Sequence, residues 1–384
     1  MPAALGRAGG AAGGAGGGGI PQVRQQSPSL GSLPQAAAAL AGDPDALAAL
    51  AADPAAAELA RVHRVGPALA LRARRLGIGG PAAEAWHRGL IAVAAHRLHV
   101  EDRLRGVGVA LGEAGVPWLP LKGCDLGARV YRYPEERPVG DVDVLVPRAE
   151  LARVQAALRA AGWQGLADSP RMERYLRDEG YAWQARDAAG LLLEVHVRLW
   201  GIVPAGLGAA LLAAAVPDPA LGPTGRRLPL PHAWLVAAVH SWLNPPPRPL
   251  LSWWDLERLA AAEPGIEDKA AGLAEEWDLQ LPAGLAAAQV AALWPSAPNR
   301  AIADRLLGGL RPLERLAARR GEAVGLRTIV LARLLSGRAS RAGWRSLPRQ
   351  VWAHPGIVEQ QTPADRSWPA RRIAHVMRAL RRHP

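Results

Sequence analysis

Arg137-Pro-Val-Gly-Asp141-Val-Asp143-Val-Leu-Val146 is the stretch that decides the fold of this 384-residue chain. Polar and apolar residues alternate from Asp141, the period of two that marks a β-strand with one face in a core. Asp141 and Asp143 then project to the same side, while Val142, Val144 and Val146 pack behind them. Two carboxylates held this close oppose each other's ionisation unless a cation sits between them. Hard oxygen donors of this kind favour Mg²⁺ or Mn²⁺ over zinc. Other acid-x-acid triplets, Asp43/Asp45, Asp255/Glu257 and Glu276/Asp278, fall in tail-like or helical stretches where positions i and i+2 diverge. The pair on the strand is therefore the candidate metal site.

Downstream, Arg148 to Ala161 has helical spacing. Tyr181–Arg186 and Leu191–Leu199 then read as the two strands of a β-hairpin, with Asp187-Ala-Ala-Gly190 as its turn. In the second strand, Glu194 interrupts an apolar run and shares a face with His196. Glu194 has two readings: a polar position on a half-exposed edge strand, or a third metal-ligating carboxylate brought beside the pair by strand pairing. His196 is expected as a polar neighbour of the site, not as a ligand. Upstream, the short apolar Trp118–Leu121 runs into Lys122-Gly123 at a strand-to-helix junction. A glycine lets a phosphate approach closely, a helix N-terminus offers free N–H groups, and the lysine adds a full charge. Lysine is scarce here, since the 46 basic residues include only Lys122 and Lys269.

Taken together, Leu-Lys-Gly, Tyr131, Arg137, the Asp141-Val-Asp143-Val-Leu-Val strand and the later Glu194/His196 strand resemble the bacterial nucleotidyltransferase family within the DNA-polymerase-beta-like superfamily. The resemblance covers about Leu111 to Leu199, and extends weakly through Pro231 to Leu259 with His232, His240 and Asp255. It implies an α/β (α+β) fold, a small mixed sheet flanked by helices, with helical segments on both the N-terminal and C-terminal sides. It also implies two Mg²⁺ ions and transfer of a nucleoside monophosphate from a nucleoside triphosphate to a hydroxyl-type acceptor, releasing pyrophosphate. Asp141, Asp143 and Glu194 would be the catalytic, metal-holding carboxylates, and Lys122 and Gly123 would face the triphosphate. Arg137 would either fork onto phosphate oxygens or form a structural salt bridge. The chain departs from the wider superfamily in carrying Lys-Gly-Cys124 where Gly-Ser is common.

Around this core, residues 1–44 are Gly, Ala, Gln, Ser and Pro with few large apolar side chains and are expected to be a disordered tail. Residues 45–114 suit amphipathic helices, 115–200 form the catalytic core, 201–347 a second helical domain, and 348–384 a basic tail. The net charge of +12 is concentrated late: residues 300–384 hold 18 Arg against 5 acids, which gives +13 and leaves about −1 for the rest. That permits nucleic-acid contact by counterion release, although the 14 scattered Trp give no stacking platform, and nucleic acid is not the favoured partner. A nucleoside triphosphate and an acceptor of small-molecule, peptide or protein type are. One cysteine excludes an internal disulfide and a cysteine-built zinc module. No stretch reaches the roughly 18 consecutive apolar residues of a membrane span, and the N-terminus lacks a signal-peptide h-region, so a cytoplasmic protein is expected. Two rival functions remain: a metal-dependent glycosyltransferase using Asp-x-Asp, and a non-catalytic binding module relying on the basic C-terminal region.

Overall fold

The computed structural model describes residues 33–166, 182–199, 204, 206–242, 248–294, 296–321, 324 and 326–335. The start of the expected tail, Tyr181, Pro245–Pro247 and the basic segment 348–384 lie outside the described residues. Five helices come first: α1 (Leu33–Ala41), α2 (Pro44–Ala52), α3 (Ala55–Val62), α4 (Gly66–Leu76) and the long α5 (Pro81–Glu113). Their ends follow local chemistry. Asp43 caps α2 by accepting from Asp45 N and Ala46 N, with Pro44 in the first turn. Gly77 closes α4 in the left-handed region at φ 66°.

The middle of the chain alternates strands and helices. β1 (Leu119–Pro120) leads into α6 (Lys122–Arg129), then come β2 (Asp141–Leu145), α7 (Leu151–Ala160), β3 (Gln164–Gly165), β4 (Ala182–Arg186) and β5 (Leu192–His196). They form one sheet in the order β1-β2-β5-β4-β3. Only β2 and β5 pair parallel within it; the other pairs are antiparallel. The expected hairpin is β4–β5, its turn held by Asp187 Oδ1, which accepts from Ala189 N and Leu191 N, and by Gly190 at φ 86°.

One face of the sheet carries Val142, Val144, Trp183, Ala185, Leu193 and Val195, buried against Val100, Val107 and Leu111 of α5 and Leu151, Val154 and Leu158 of α7. Burial of one such aliphatic side chain is worth about 1.5–3 kcal/mol. Several on one face therefore decide which way the sheet turns, and the acidic residues must take the other side.

The rest is helical: α8 (Leu207–Ala214), a small antiparallel ribbon of β6 (Val216–Pro217) and β7 (Arg226–Arg227), then α9 (Leu230–Ser241), α10 (Leu250–Ala262), α11 (Ile266–Glu276), α12 (Gln280–Leu293), α13 (Ala297–Gly308), α14 (Pro312–Ala318) and α15 (Leu326–Leu335). The fold is thus a mixed α/β one, as expected: a small mixed sheet flanked by helices.

Two findings revise the expected organisation. The stretch assigned to a disordered tail ends in α1, whose Ala36, Ala37, Ala39 and Leu40 are buried. Small alanines let α1 approach closely, and the Trp294 indole donates to the Ala37 carbonyl at 2.9 Å. The helices before and after the sheet also share a single apolar core, with Leu47, Leu69 and Trp86 in the same cluster as Trp234, Leu256 and Leu285. Among the described residues no strand precedes β1, so the βαβ unit that a glycosyltransferase would need ahead of the acidic pair is not found there. No helix among them is long and apolar enough to cross a membrane.

Candidate active site

The parallel register of β2 and β5 sets Asp143 directly opposite Glu194, with Asp141 opposite Leu192 and Leu145 opposite His196. Side chains two apart share a face, so Asp141, Asp143, Glu194 and His196 stand together on the polar side of the sheet. The donor atoms of Asp143, Glu194 and His196 lie within 4.8 Å of one another. His196 Nε2 is 2.8 Å from Asp143 Oδ1 and 3.6 Å from Glu194 Oε2. On the far side of β5, Gln184 Nε2 donates to Glu194 Oε1.

Lys122 enters from the junction of β1 and α6. Leu121 N donates to the Asp143 carbonyl, which lays the junction against β2. The next residue then turns into the left-handed region, at φ 52°. A side-chain-bearing residue rarely adopts that conformation, and it persists where the surroundings over-determine it. The turn delivers Lys122 Nζ to Asp143 Oδ1 at 2.8 Å. Both bonds to Asp143 fall on that one oxygen; Oδ2 accepts no hydrogen bond among the described residues.

Burial alone would raise the Asp143 pKa, but the Lys122 ammonium and the His196 hydrogen bond outweigh it and hold the carboxyl well below its usual range. Asp141 shifts the other way. Burial raises its pKa first, and the charges of Asp143 and Glu194 add to the rise, while Lys122 opposes it. Three carboxylates therefore face one ammonium, with the Arg64 guanidinium a further positive charge acting on Asp141. A face with this imbalance is suited to further positive charge, and oxygen donors with one imidazole suit a hard or borderline divalent cation.

Cys124, the first-turn neighbour of Lys122, is buried, and burial followed by the Asp143 charge pushes its thiol up to about 12. It stays protonated near neutral pH and is no nucleophile. Its Sγ–H instead donates to the Asp141 carbonyl at 3.4 Å, fastening α6 to β2. His240 of α9 also feels the site: burial, then the Lys122 charge, lowers its pKa to about 3, with Asp143 and His196 among the groups acting on it.

Arg137 is held as a salt bridge. Its Nε and Nη2 fork onto Asp255 Oδ1 and Oδ2 of α10 at 3.0 and 2.7 Å, Nη1 donates to the Pro138 carbonyl, and Tyr131 Oη donates to Asp255 Oδ1 at 2.6 Å. Gly123 belongs to the same arrangement. A Cβ there would land on Nη1 of Arg137 and stand 3.3 Å from Val139 Cγ2. The glycine makes room for a guanidinium that the fork on Asp255 holds in place. Gly123→Ala is expected to lower the unfolding free energy by about 1–3 kcal/mol through overpacking, read from urea melts; an unchanged midpoint would show that Arg137 yields freely.

The structure thus gathers Asp141, Asp143 and Glu194 on one face and adds Lys122 at Asp143, whereas Gly123 and Arg137 pack on each other beside α10. It also adds His196, whose placement two residues from Glu194 on the same strand was a visible signal. The roles of Tyr131 and Asp255 were not visible from local pattern.

A family described as uncharacterised nucleotidyltransferase matches residues 51–295, from the end of α2 through α12. No curated protein matches the sequence. The matched span covers well over half of the chain and contains the whole acidic face with both strands that build it, and the chain belongs to this uncharacterised nucleotidyltransferase family.

Proposed function

We propose that the chain is a metal-dependent nucleotidyltransferase of the DNA-polymerase-beta-like kind, moving a nucleoside monophosphate from a nucleoside triphosphate to a hydroxyl-bearing acceptor. The observation that carries this reading is the parallel register that places Glu194 beside Asp143, with Asp141 one pleat away on the same face. Asp141, Asp143 and Glu194 would hold Mg²⁺ or Mn²⁺, two ions in the full complement, and Lys122 would face the triphosphate while Gly123 gives room to Arg137. Bound divalent ions would lower the pKa of the acceptor hydroxyl and neutralise charge on the phosphates.

The reaction forms a bond from the acceptor oxygen to the α-phosphorus and breaks the bond to the β-phosphate oxygen. Pyrophosphate leaves, and the hydroxyl proton is lost to water or to a carboxylate of the face. The protein's share is positioning. β2 and β5 fix the carboxylates on rigid elements, the buried imidazole of His196 orients Asp143 through its 2.8 Å contact, and Lys122 supplies charge next to the incoming phosphates.

The test uses the full chain with Mg²⁺, each of the four ribonucleoside triphosphates labelled at the α-phosphate, and a cell lysate as the source of acceptor. Label passing from one triphosphate to an acceptor, with release of pyrophosphate, is the expected result. Saturation with the same nucleotide should raise the unfolding free energy by about 2.7 kcal/mol at a hundred times its Kd. Salt-sensitive RNA or DNA binding with no turnover of any triphosphate would instead identify a binding module.

A further inference from the structure

Arg64, in the turn between α3 and α4, carries an uncommitted positive charge beside the acidic face. The cation that acts on it, Arg137, is engaged by Asp255, and the lysine of the acidic face, Lys122, by Asp143. The Arg64 side chain makes no hydrogen bond or ion pair among the described residues, and more than a third of the residue is exposed. Its Nη2 lies over Gly140, 3.8 Å from where a Cβ on that glycine would stand, and Gly140 immediately precedes Asp141. Asp141, Asp255 and Arg137 are the charges that act on it.

The placement is built into the backbone. Arg64 has φ 59°, the left-handed region where glycine is the undemanding residue. The turn is bolted down next to it. The buried His63 accepts from Leu250 N at Nδ1 and from Leu251 N at its carbonyl, both at 3.2 Å. The first turn of α10 thus clamps the residue before Arg64, and the same helix carries Asp255, which clamps Arg137 three residues before Gly140. One helix therefore fixes both the arginine and the loop that leads to Asp141.

We infer that Arg64 is a phosphate-binding residue of the site, its guanidinium forking onto the non-transferred phosphates of the nucleoside triphosphate. This rests on the nucleotidyltransferase reading and adds to it a residue from the N-terminal helices, far in sequence from the sheet. A planar guanidinium suits two phosphate oxygens at once, which an ammonium does not. A charge with no protein partner can make those bonds without first breaking others.

The experiment compares the full chain with Arg64→Gly and Arg64→Lys by calorimetric titration, with Mg²⁺ present, against the four ribonucleoside triphosphates and inorganic tripolyphosphate. Arg64→Gly relieves the backbone conformation, so its melting temperature should stay level or rise. Its affinity for the nucleotide and for tripolyphosphate should fall about tenfold or more, with KM raised more than kcat is lowered. Arg64→Lys should fall between the two. Unchanged affinity in Arg64→Gly, with the wild type binding well, would overturn the assignment of Arg64 and leave the proposed function standing. A wild-type chain that binds neither triphosphate nor tripolyphosphate would overturn both.

Discussion

Asp143→Asn should reduce nucleotide transfer by about a thousandfold or more while the chain still folds. Asp143 is the member of the acidic face that touches the most of it: it lies two residues from Asp141, stands opposite Glu194, and accepts from Lys122 and His196. Asparagine keeps the shape but removes the charge from the centre of the group. A thousandfold loss corresponds to about 4 kcal/mol of transition-state stabilisation, the scale that follows if Asp143 holds the metal as proposed. Stability should change less, by about 1–3 kcal/mol, because the amide oxygen can still accept from both neighbours. The pH dependence separates the two effects. The Asp143 carboxyl titrates below its unfolded value of about 3.9, so its ionised form stabilises the fold above that pH and the contribution is lost as pH falls toward the folded pKa. The stability gap between wild type and variant should be widest near neutrality and close below about pH 4. Urea melts at several pH values, alongside transfer assays, test this. An active variant would remove Asp143 from the chemistry, and a gap that ignores pH would remove its charge from the stability.

What the sequence made legible was local. Alternation around Asp141 and Asp143, a hairpin turn with Asp187 and Gly190, and a lone acid in an apolar run at Glu194 all declare themselves within a few residues, because strand period and turn chemistry act at that range. The pairing of β2 with β5 spans some fifty residues, and nothing in either strand states its partner; burial of Val142, Val144, Leu193 and Val195 on a common face makes that choice. β1 and β3 are two residues each, too short to leave a pattern. Asp255 illustrates the opposite failure. Its triplet with Glu257 carries no strand signal because a helix separates i from i+2, yet the residue is a structural anchor whose partner, Arg137, is 118 positions away. Arg64 gave no signal at all, since its importance lies in a backbone angle and in the absence of a partner, neither of which a residue name records.

Asp255→Ala is expected to destabilise the fold by about 3–5 kcal/mol. Asp255 is 4% exposed and Tyr131 6%. Removing the carboxylate takes the partner from Nε and Nη2 of a largely buried guanidinium and from a buried hydroxyl at the same moment, and those groups then bear their desolvation cost. The guanidinium is protonated throughout: burial works against its charge, but Asp255 overrides this and raises its pKa further. It therefore cannot escape by losing a proton. Replacing both partners with apolar residues of similar size, Arg137→Met with Asp255→Leu, should recover most of the loss, because no charge is then left inside. That double variant also decides between the two roles open to Arg137. If the arginine only ties the loop before Asp141 to α10, the double variant folds and binds nucleotide with near wild-type affinity. If the fork turns to phosphate during binding, affinity falls even though stability returns. Four bonds already made by Arg137 and Asp255 among themselves, Tyr131 and Pro138 favour the first outcome. A phosphate would have to displace a bidentate carboxylate inside the protein to produce the second, whereas Arg64 offers the same guanidinium at the rim with nothing to displace.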